Sequence, residues 1–453
     1  MIGRPRRTPG RPRPGQPRTG AEVVLLVAWA AIGLGAAVDL GAYSSSAVAL
    51  VGVGTVLVVT ASVQRLVPSG GPSRVVAAAG AVAVLAGLVD ADAGIYGSGP
   101  ALGISRVLTA AAAAVVATWL VFELGRARAV AAGVVVAMTA AGIAMVVSSP
   151  RPPIDVWFML QAAGTSLSHG HDIYTSHWTS GVAFEQSDGF AYLPGAAVAL
   201  WPFHALLGDV RYGLLAAMAL TAVILVQVRA RSSGVLLGVL VLLFPRALFG
   251  LEQSWVDPLV LLAVCATAWA VSRGRPGWAV LCFAACLTCK QQAWVMLPLA
   301  FVWRDFGWRR AALSAGAAGA FCAPWVLADP HAFWRGAVTY NLDLPARLDS
   351  LSLYRAALAV GWEPGVAVVA ALTLGAVALA WWRLPRDTYG FLLGSAMVMA
   401  VFNLANKQSF FNEWQLAAGL VLAAVVFGPE RPVPGLAIPD AHLDAVAVPV
   451  SGP

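Results

Sequence analysis

Residues 126–158, RARAVAAGVVVAMTAAGIAMVVSSPRPPIDVWF, decide how the whole chain is read. Arg126 and Arg128 open the stretch, a predominantly apolar run fills 129–148, and a proline-rich break leads to Asp155. A helix that crosses a bilayer needs about 20 such residues. Arginines on one flank and a polar, acidic stretch on the other mark a span that starts inside and ends outside. Similar runs precede it at roughly 21–40, 46–64, 75–96 and 104–122, with Arg65 and Arg74 flanking an earlier inside loop. Five spans that begin inside place the polar stretch 148–192 outside, and its four acids against the single Arg151 are compatible with that side.

Composition agrees with this reading. The chain is 59% hydrophobic and only 11% charged, with a mean hydropathy of +0.77, against about 25% charged residues in an ordinary soluble domain. The fold class is therefore an all-α polytopic membrane protein. The net charge of +7 needs no nucleic-acid partner. Arg4, Arg6, Arg7, Arg11, Arg13 and Arg18 lie in a proline-broken tail, 1–20, that reads as cytoplasmic and able to touch anionic lipid headgroups. The run 21–40 is long enough to be a retained helix rather than a cleaved signal sequence. Cys265, Cys282, Cys286, Cys289 and Cys322 all fall in apolar runs, so no disulfide framework is implied.

Downstream, arginines mark inside loops at 229 and 231, at 273 and 275, at 304 with 309 and 310, and at 383 with 386. Full spans are expected near 212–228, 234–251, 256–272, 311–328, 363–382, 388–405 and 413–428. Two segments break the alternation. Residues 190–207, with Pro194 and Pro202, read as a re-entrant or interfacial hairpin; residues 277–303, basic at both ends, should turn back with Lys290, Gln291 and Gln292 near the tip. The total is about 12 transmembrane helices with both termini cytoplasmic. The chain then divides into the tail 1–20, additional N-terminal helices 21–128, a main membrane region 129–428 with outside loops 148–192 and 329–363, and a disordered tail 429–453.

With this topology the outside face gathers the Asp155 loop, the turn 252–257, the Lys290 tip, the loop 329–363 and Asn406-Lys407-Gln408. Ionisable groups at membrane depth face protein or water rather than lipid. Convergence on one side points to a polar chamber at the bilayer surface.

The order of these landmarks resembles a known family. Ile154-Asp155-Val156-Trp157-Phe158, then Gly170-His171-Asp172-Ile173-Tyr174, then Tyr192-Leu193-Pro194 are similar to the first large extracytoplasmic loop of polyprenyl-phosphate-sugar-dependent glycosyltransferases of the GT-C superfamily. Glu252-Gln253, Lys290 and Asn406-Lys407-Gln408-Ser409-Phe410-Phe411-Asn412 look like later landmarks of the GT87 type, which includes actinobacterial mannosyltransferases. The resemblance covers roughly 150–428. It implies a GT-C-like fold and transfer of a sugar, mannose or a pentose, from a polyprenyl-phosphate donor to an envelope lipid or polysaccharide acceptor. It also implies an inverting reaction in the cytoplasmic membrane, with the site on the extracytoplasmic face.

Asp155 is the position that matches the family's catalytic aspartate, and the resemblance implies a general base there. The competing reading is a helix N-cap after Pro152 and Pro153. Negative charge growing on the leaving phosphate calls for cations, and the candidates are Lys290, Lys407, Arg211 and Arg246. Lysines at these places also snorkel or stand solvated without any role. Asp172, Tyr174, Glu185, Asp188, Tyr192, Gln253, Asp257, Gln291 and Asn406 are the candidates for substrate contact, although Tyr174 and Trp178 equally suit an interfacial aromatic belt.

His169-Gly170-His171-Asp172 invites a metal reading, but the resemblance implies a metal-free enzyme, and no cofactor is expected. Cys282, Cys286 and Cys289 have cluster-like spacing inside an apolar segment, where cysteine is a small buried residue. Asp90 and Asp92 read as solvated span boundaries. The alternative function is a transporter or flippase of lipid-linked sugars. Transporters place their sites near the bilayer midplane on broken helices, whereas here the polar residues gather at one face.

Overall fold

A computed structural model describes residues 18–67, 95–122, 125–178, 190–228 and 232–428, together with Ala78. The expected span 75–96, the loop residues Glu185 and Asp188, Arg229 and Arg231, and the C-terminal tail lie largely or wholly outside the described residues. Among those described, the chain is helical apart from one short parallel pairing of β1 (Arg18–Thr19) with β2 (Leu66–Val67).

Eight helical segments are long and apolar enough to cross a membrane. They contain α1 (Ala21–Ala37), α2 (Ser45–Val63), α3 (Gly99–Phe122), α4 (Ala127–Ser148), α7 (Arg211–Val228), α13 (Trp308–Ala328), α17 (Val366–Arg383) and α18 (Thr388–Ala405). Shorter apolar helices complete the bundle: α6 (Pro194–Leu207), α10 (Asp257–Ser272), α11 (Pro276–Cys289) and α19 (Phe411–Phe427). α18 and α19 form its middle. α19 is buried along nearly its whole length, whereas α13 and α17 leave most of their apolar surface uncovered, as helices facing lipid do. α1 packs on α2 and α19, and α2 on α18, so the N-terminal helices belong to the same bundle.

Three expectations about the backbone meet the structure differently. The span expected at 234–251 is broken into α8 (Ser232–Val239) and α9 (Ala247–Glu252). Pro245 disfavours helical backbone at Phe244, Arg246 takes a positive φ of 59°, and short turns such as Leu243 N–H to Leu240 O replace the helical pattern. Burial of 234–245 in protein makes that irregular backbone tolerable.

Residues 194–207 form one helix that runs through Pro202, not a hairpin. α6 packs along α5 (Asp155–Ser168), and the pair lies across the end of the bundle.

The segment 277–303 does turn back. α11 ends at Lys290, whose backbone is extended, and a 3-10 turn (Gln291–Met296) leads into α12 (Leu297–Val302). Phe306 then meets Phe283 of α11 with ring centroids 5.7 Å apart, and Ser314 of α13 donates to Val280 O. The chain has returned to the level at which α11 began.

Arg211 illustrates how the polar end is assembled. It is fully buried, and its guanidinium donates to both Asp209 oxygens, to Ser149 Oγ at 2.9 Å and to Ser149 O at 2.8 Å. It thereby joins the start of α7 to the end of α4, just before the segment that carries Asp155. Arg211→Ala strands the Asp209 carboxylate and the Ser149 carbonyl. The expected loss is about 3–5 kcal/mol, measured by thermal unfolding of the purified protein in detergent; an unchanged Tm would contradict this role.

Candidate active site

Three helix ends meet at Lys290. α10 and α11 form an antiparallel pair joined by a tight turn at 273–275, which brings the last residue of one back to the first of the other. Lys290 Nζ lies 3.0 Å from both oxygens of Asp257, in the first turn of α10, and 3.3 Å from Glu413 Oε1, in the first turn of α19. Both acids sit where a helix dipole favours negative charge. Asn412 donates to Asp257 Oδ2 at 2.7 Å, Glu413 Oε2 accepts from Phe410 N–H, and Asn403 of α18 donates to Glu413 O. All these side chains are buried.

The ammonium's three donors are therefore spent on two carboxylates. An incoming phosphate would meet excess negative charge at this cluster, so Lys290 stands here as a structural cation rather than a phosphate ligand. Arg211, the second cation expected at the donor phosphate, is likewise consumed by Asp209 and Ser149. Arg246 occupies the N-cap position of α9.

Asp155 stands outside the ion-paired cluster of Lys290. It is the first residue of α5; Ile154, without a side-chain cap, holds the N-cap position, while Asp155 Oδ1 accepts from Val156 N–H at 2.8 Å. The carboxylate is half-buried. Burial pushes the Tyr192 phenol well above its ordinary pKa, and the charges of Asp257, Asp155 and Glu413 add to it. Tyr192 is thus in electrostatic reach of both centres. Its carbonyl accepts from Tyr174 Oη at 2.7 Å, and the preceding Ala191 O accepts from Gln291 Nε2 and Asn341 Nδ2.

Two further side chains reach Asp155 that the sequence did not single out. Arg347 has its guanidinium raised chiefly by its hydrogen bond to Asp349, against partial burial, with the charges of Asp349 and Asp155 adding to the rise. It is about half exposed, rests 4.8 Å over the Phe410 ring, and donates its backbone N–H to Lys407 O. Lys407 Nζ donates to Leu342 O at 2.6 Å. The two cations are thus neighbours in docked loops.

Tyr96 comes from the other side. The buried Glu252 carboxylate accepts from three successive backbone N–H groups, Ile95 at 2.9 Å, Tyr96 at 3.0 Å and Gly97 at 2.7 Å. Ser98 N–H bonds Ser148 O, and a Cβ on Gly97 would lie 2.7 Å from Ser148 Oγ, so the turn packs closely on the end of α4. Burial raises the Tyr96 phenol, with Glu252 and Asp155 contributing after it.

Of the remaining candidates, Tyr174 is buried against Phe190 and Phe333. Asp172 Oδ1 closes a turn on Tyr174 N–H, and Asn406 bonds locally to Gln408 O. Gln253 is buried beside the Glu252 nest, and its Nε2 has no partner. The His169 and His171 rings stack at 6.0 Å, and among the described residues no three His, Cys, Asp or Glu side chains gather to hold an ion. The five cysteines are unbridged.

The fold defines a multi-pass membrane protein with a carboxylate, a nearby guanidinium and buried tyrosines grouped at one end of the bundle. Residues 190–405 match the model of Glycosyltransferase family 87, so this stretch is similar to the glycosyltransferases of that family. The matched range holds Tyr192, Glu252, Asp257, Lys290 and Arg347, while Tyr96, Asp155 and Glu413 lie outside it. No curated protein and no solved structure matches the chain.

The cluster at Lys290 predicts a non-additive response. Lys290→Ala leaves two buried carboxylates facing each other and should cost about 3–5 kcal/mol. Adding Asp257→Asn should return at least about 1 kcal/mol in thermal unfolding. Strictly additive losses would mean that the ion pair is not formed.

Proposed function

We propose that the protein transfers a sugar, mannose or a pentose, from a polyprenyl-phosphate donor to an envelope lipid or glycan acceptor at the extracytoplasmic face of the cytoplasmic membrane. The observation that carries this reading is the placement of Asp155, half-buried in the first turn of α5 and within electrostatic reach of Arg347, Tyr192 and Tyr96. It stands beside a segment of glycosyltransferase family 87.

Asp155 accepts the proton of an acceptor hydroxyl as that oxygen attacks the anomeric carbon. The bond from that carbon to the donor phosphate oxygen breaks, the polyprenyl phosphate leaves with the electron pair, and one displacement inverts the anomeric centre. Charge on the departing phosphate is met by Arg347 and Lys407. Arg347 suits the task because a planar guanidinium binds phosphate through two parallel donors. Tyr96 and Tyr192, kept protonated by burial and by the carboxylates near them, remain hydrogen-bond donors for sugar or phosphate oxygens.

The distribution of arginine supports this choice of side. Arg65 reaches Trp382 O, Arg304 N–H bonds Arg386 O, and Arg273, Arg309 and Arg383 stack on Trp269, Trp308 and Trp382. Arginines at the ends of spans, anchored on interfacial tryptophans and joined across loops, are the pattern expected of a cytoplasmic surface.

Asp155→Asn should reduce transfer of label from a radiolabelled polyprenyl-phosphate sugar by at least about 10²-fold, with expression and Tm unchanged. Turnover close to wild type would sink the assignment of the base. Arg347→Ala should lower kcat by about 10²-fold in the same assay, with partial recovery in Arg347→Lys; equal activity of all three proteins would remove Arg347 from the phosphate site.

A further inference from the structure

The motif His169-Gly170-His171 has no part in the chemistry above, yet it borders an open cavity. A groove of about 880 Å³ runs along the outer side of α5, lined by Trp157, Phe158, Gln161, Thr165, His169 and Trp178, among others. That volume lies within the range of small-molecule sites, roughly 300–1,000 Å³.

Its position is set by helix periodicity. Asp155, Phe158, Ala162, Thr165 and His169 follow one another at spacings of three, four, three and four residues, and so share one row along α5. Met159, Leu160 and Ala163 fill the opposite, buried side. The groove's floor therefore begins one turn beyond the carboxylate and extends for most of a helix about 21 Å long.

The lining selects a class of ligand. Among the described residues that form the groove there is no Asp, Glu, Lys or Arg; they offer aromatic faces, hydroxyls and imidazoles. Such a surface suits a ligand with apolar faces and many hydroxyls. Trp178 is held as a fixed platform: its Nε1–H donates to Ser166 Oγ, Ser166 Oγ to Ser176 Oγ, and Ser176 Oγ to Asp172 O. His169 Nδ1 lies 2.8 Å from Thr165 O and must donate to it, which leaves Nε2 for a further hydrogen bond. Gln161 is spent on Val210 N–H, Gly208 O and His204, which locks α5 to the end of α6 and keeps the groove's wall in place.

We propose that this groove binds a neutral oligosaccharide, the glycan arm of the acceptor, and leads its reacting hydroxyl to Asp155. This inference rests on the glycosyltransferase reading and names the kind of acceptor it takes. Sugar rings stack on Phe158 and Trp178, and their hydroxyls bond to His169 Nε2 and neighbouring side chains. A lipid acceptor without sugar would leave the groove unused.

The test is calorimetric titration of the full-length protein in detergent with three neutral probes: linear mannotetraose, arabinotetraose and maltotetraose. At least one should give a saturable isotherm. Trp178→Ala should weaken it about ten-fold, the size of one aromatic stacking contact, and the exposed His169→Ala, for which folding is not at stake, should weaken it measurably. Asp155→Asn should bind as wild type while losing transfer, which separates the groove from the base. No binding of any probe, or equal affinity in wild type, Trp178→Ala and His169→Ala, overturns the proposal. So does stoichiometric binding of zinc chloride that is lost in His169→Ala, because the groove would then be a metal site. Any of these results leaves the transfer assay, and the reading of Asp155, to stand or fall separately.

Discussion

Lys290 can keep its charge in the interior of the bundle only because Asp257 and Glu413 approach it from two other helices. Taking an ammonium and two carboxylates out of water is expensive, and their mutual attraction offsets that expense only when geometry and supporting hydrogen bonds are complete. Asn412 and the backbone N–H of Phe410 supply the support. The cluster adds little net stability compared with apolar packing, but any partial loss of it is costly. It therefore fixes the register of α10, α11 and α19 against one another. Gly195 of α6 lies against Thr288, where a Cβ would come within 2.6 Å of the Thr288 carbonyl, so α6 and the Tyr192 loop before it inherit that register.

The cations of this chain divide by burial. Lys290 and Arg211 are enclosed, and their cationic groups are engaged by carboxylates and, for Arg211, by the hydroxyl and carbonyl of Ser149. Arg347 and Lys407 sit in loops tied to each other by a backbone hydrogen bond, and Arg347, half exposed, feels the charge of Asp155. Rigid charges deep in the protein set distances, while accessible ones are available to a ligand that arrives and leaves. Asp349 is part of the second arrangement, since it holds Arg347 in place without neutralising both of its faces.

Apolar length and arginine placement made the membrane architecture legible, together with the turn at Lys290 and the gathering of polar loops at one end. Pattern could not reveal the break at 240–246, because a fully buried irregular segment is as apolar as a span. The pairing of Lys290 was hidden for another reason. Asp257 and Glu413 lie far from it in sequence, and a lysine in an apolar run looks the same whether it waits for a phosphate or is held by two acids. Arg211 was misread on the same ground, its partner Asp209 being only two residues away but decisive through burial. Arg347 carried no signal at all, since one arginine in a long polar loop is ordinary until the loop docks against 406–410.

The family segment, 190–405, does not close the site by itself. Asp155 precedes it, Glu413 follows it, and Tyr96 comes from a turn between N-terminal helices. What joins these outliers to the segment is backbone chemistry: Glu252 accepts three consecutive N–H groups of 95–97, and Arg211 grips the carbonyl of Ser149. A carboxylate that satisfies three peptide donors at once needs those donors to curl around it, so Glu252 specifies the path of the incoming chain and not merely its proximity. The N-terminal helices consequently do more than pack against α18 and α19. They place the Tyr96 phenol where the charge of Asp155 acts on it, held by Glu252 from the matched segment.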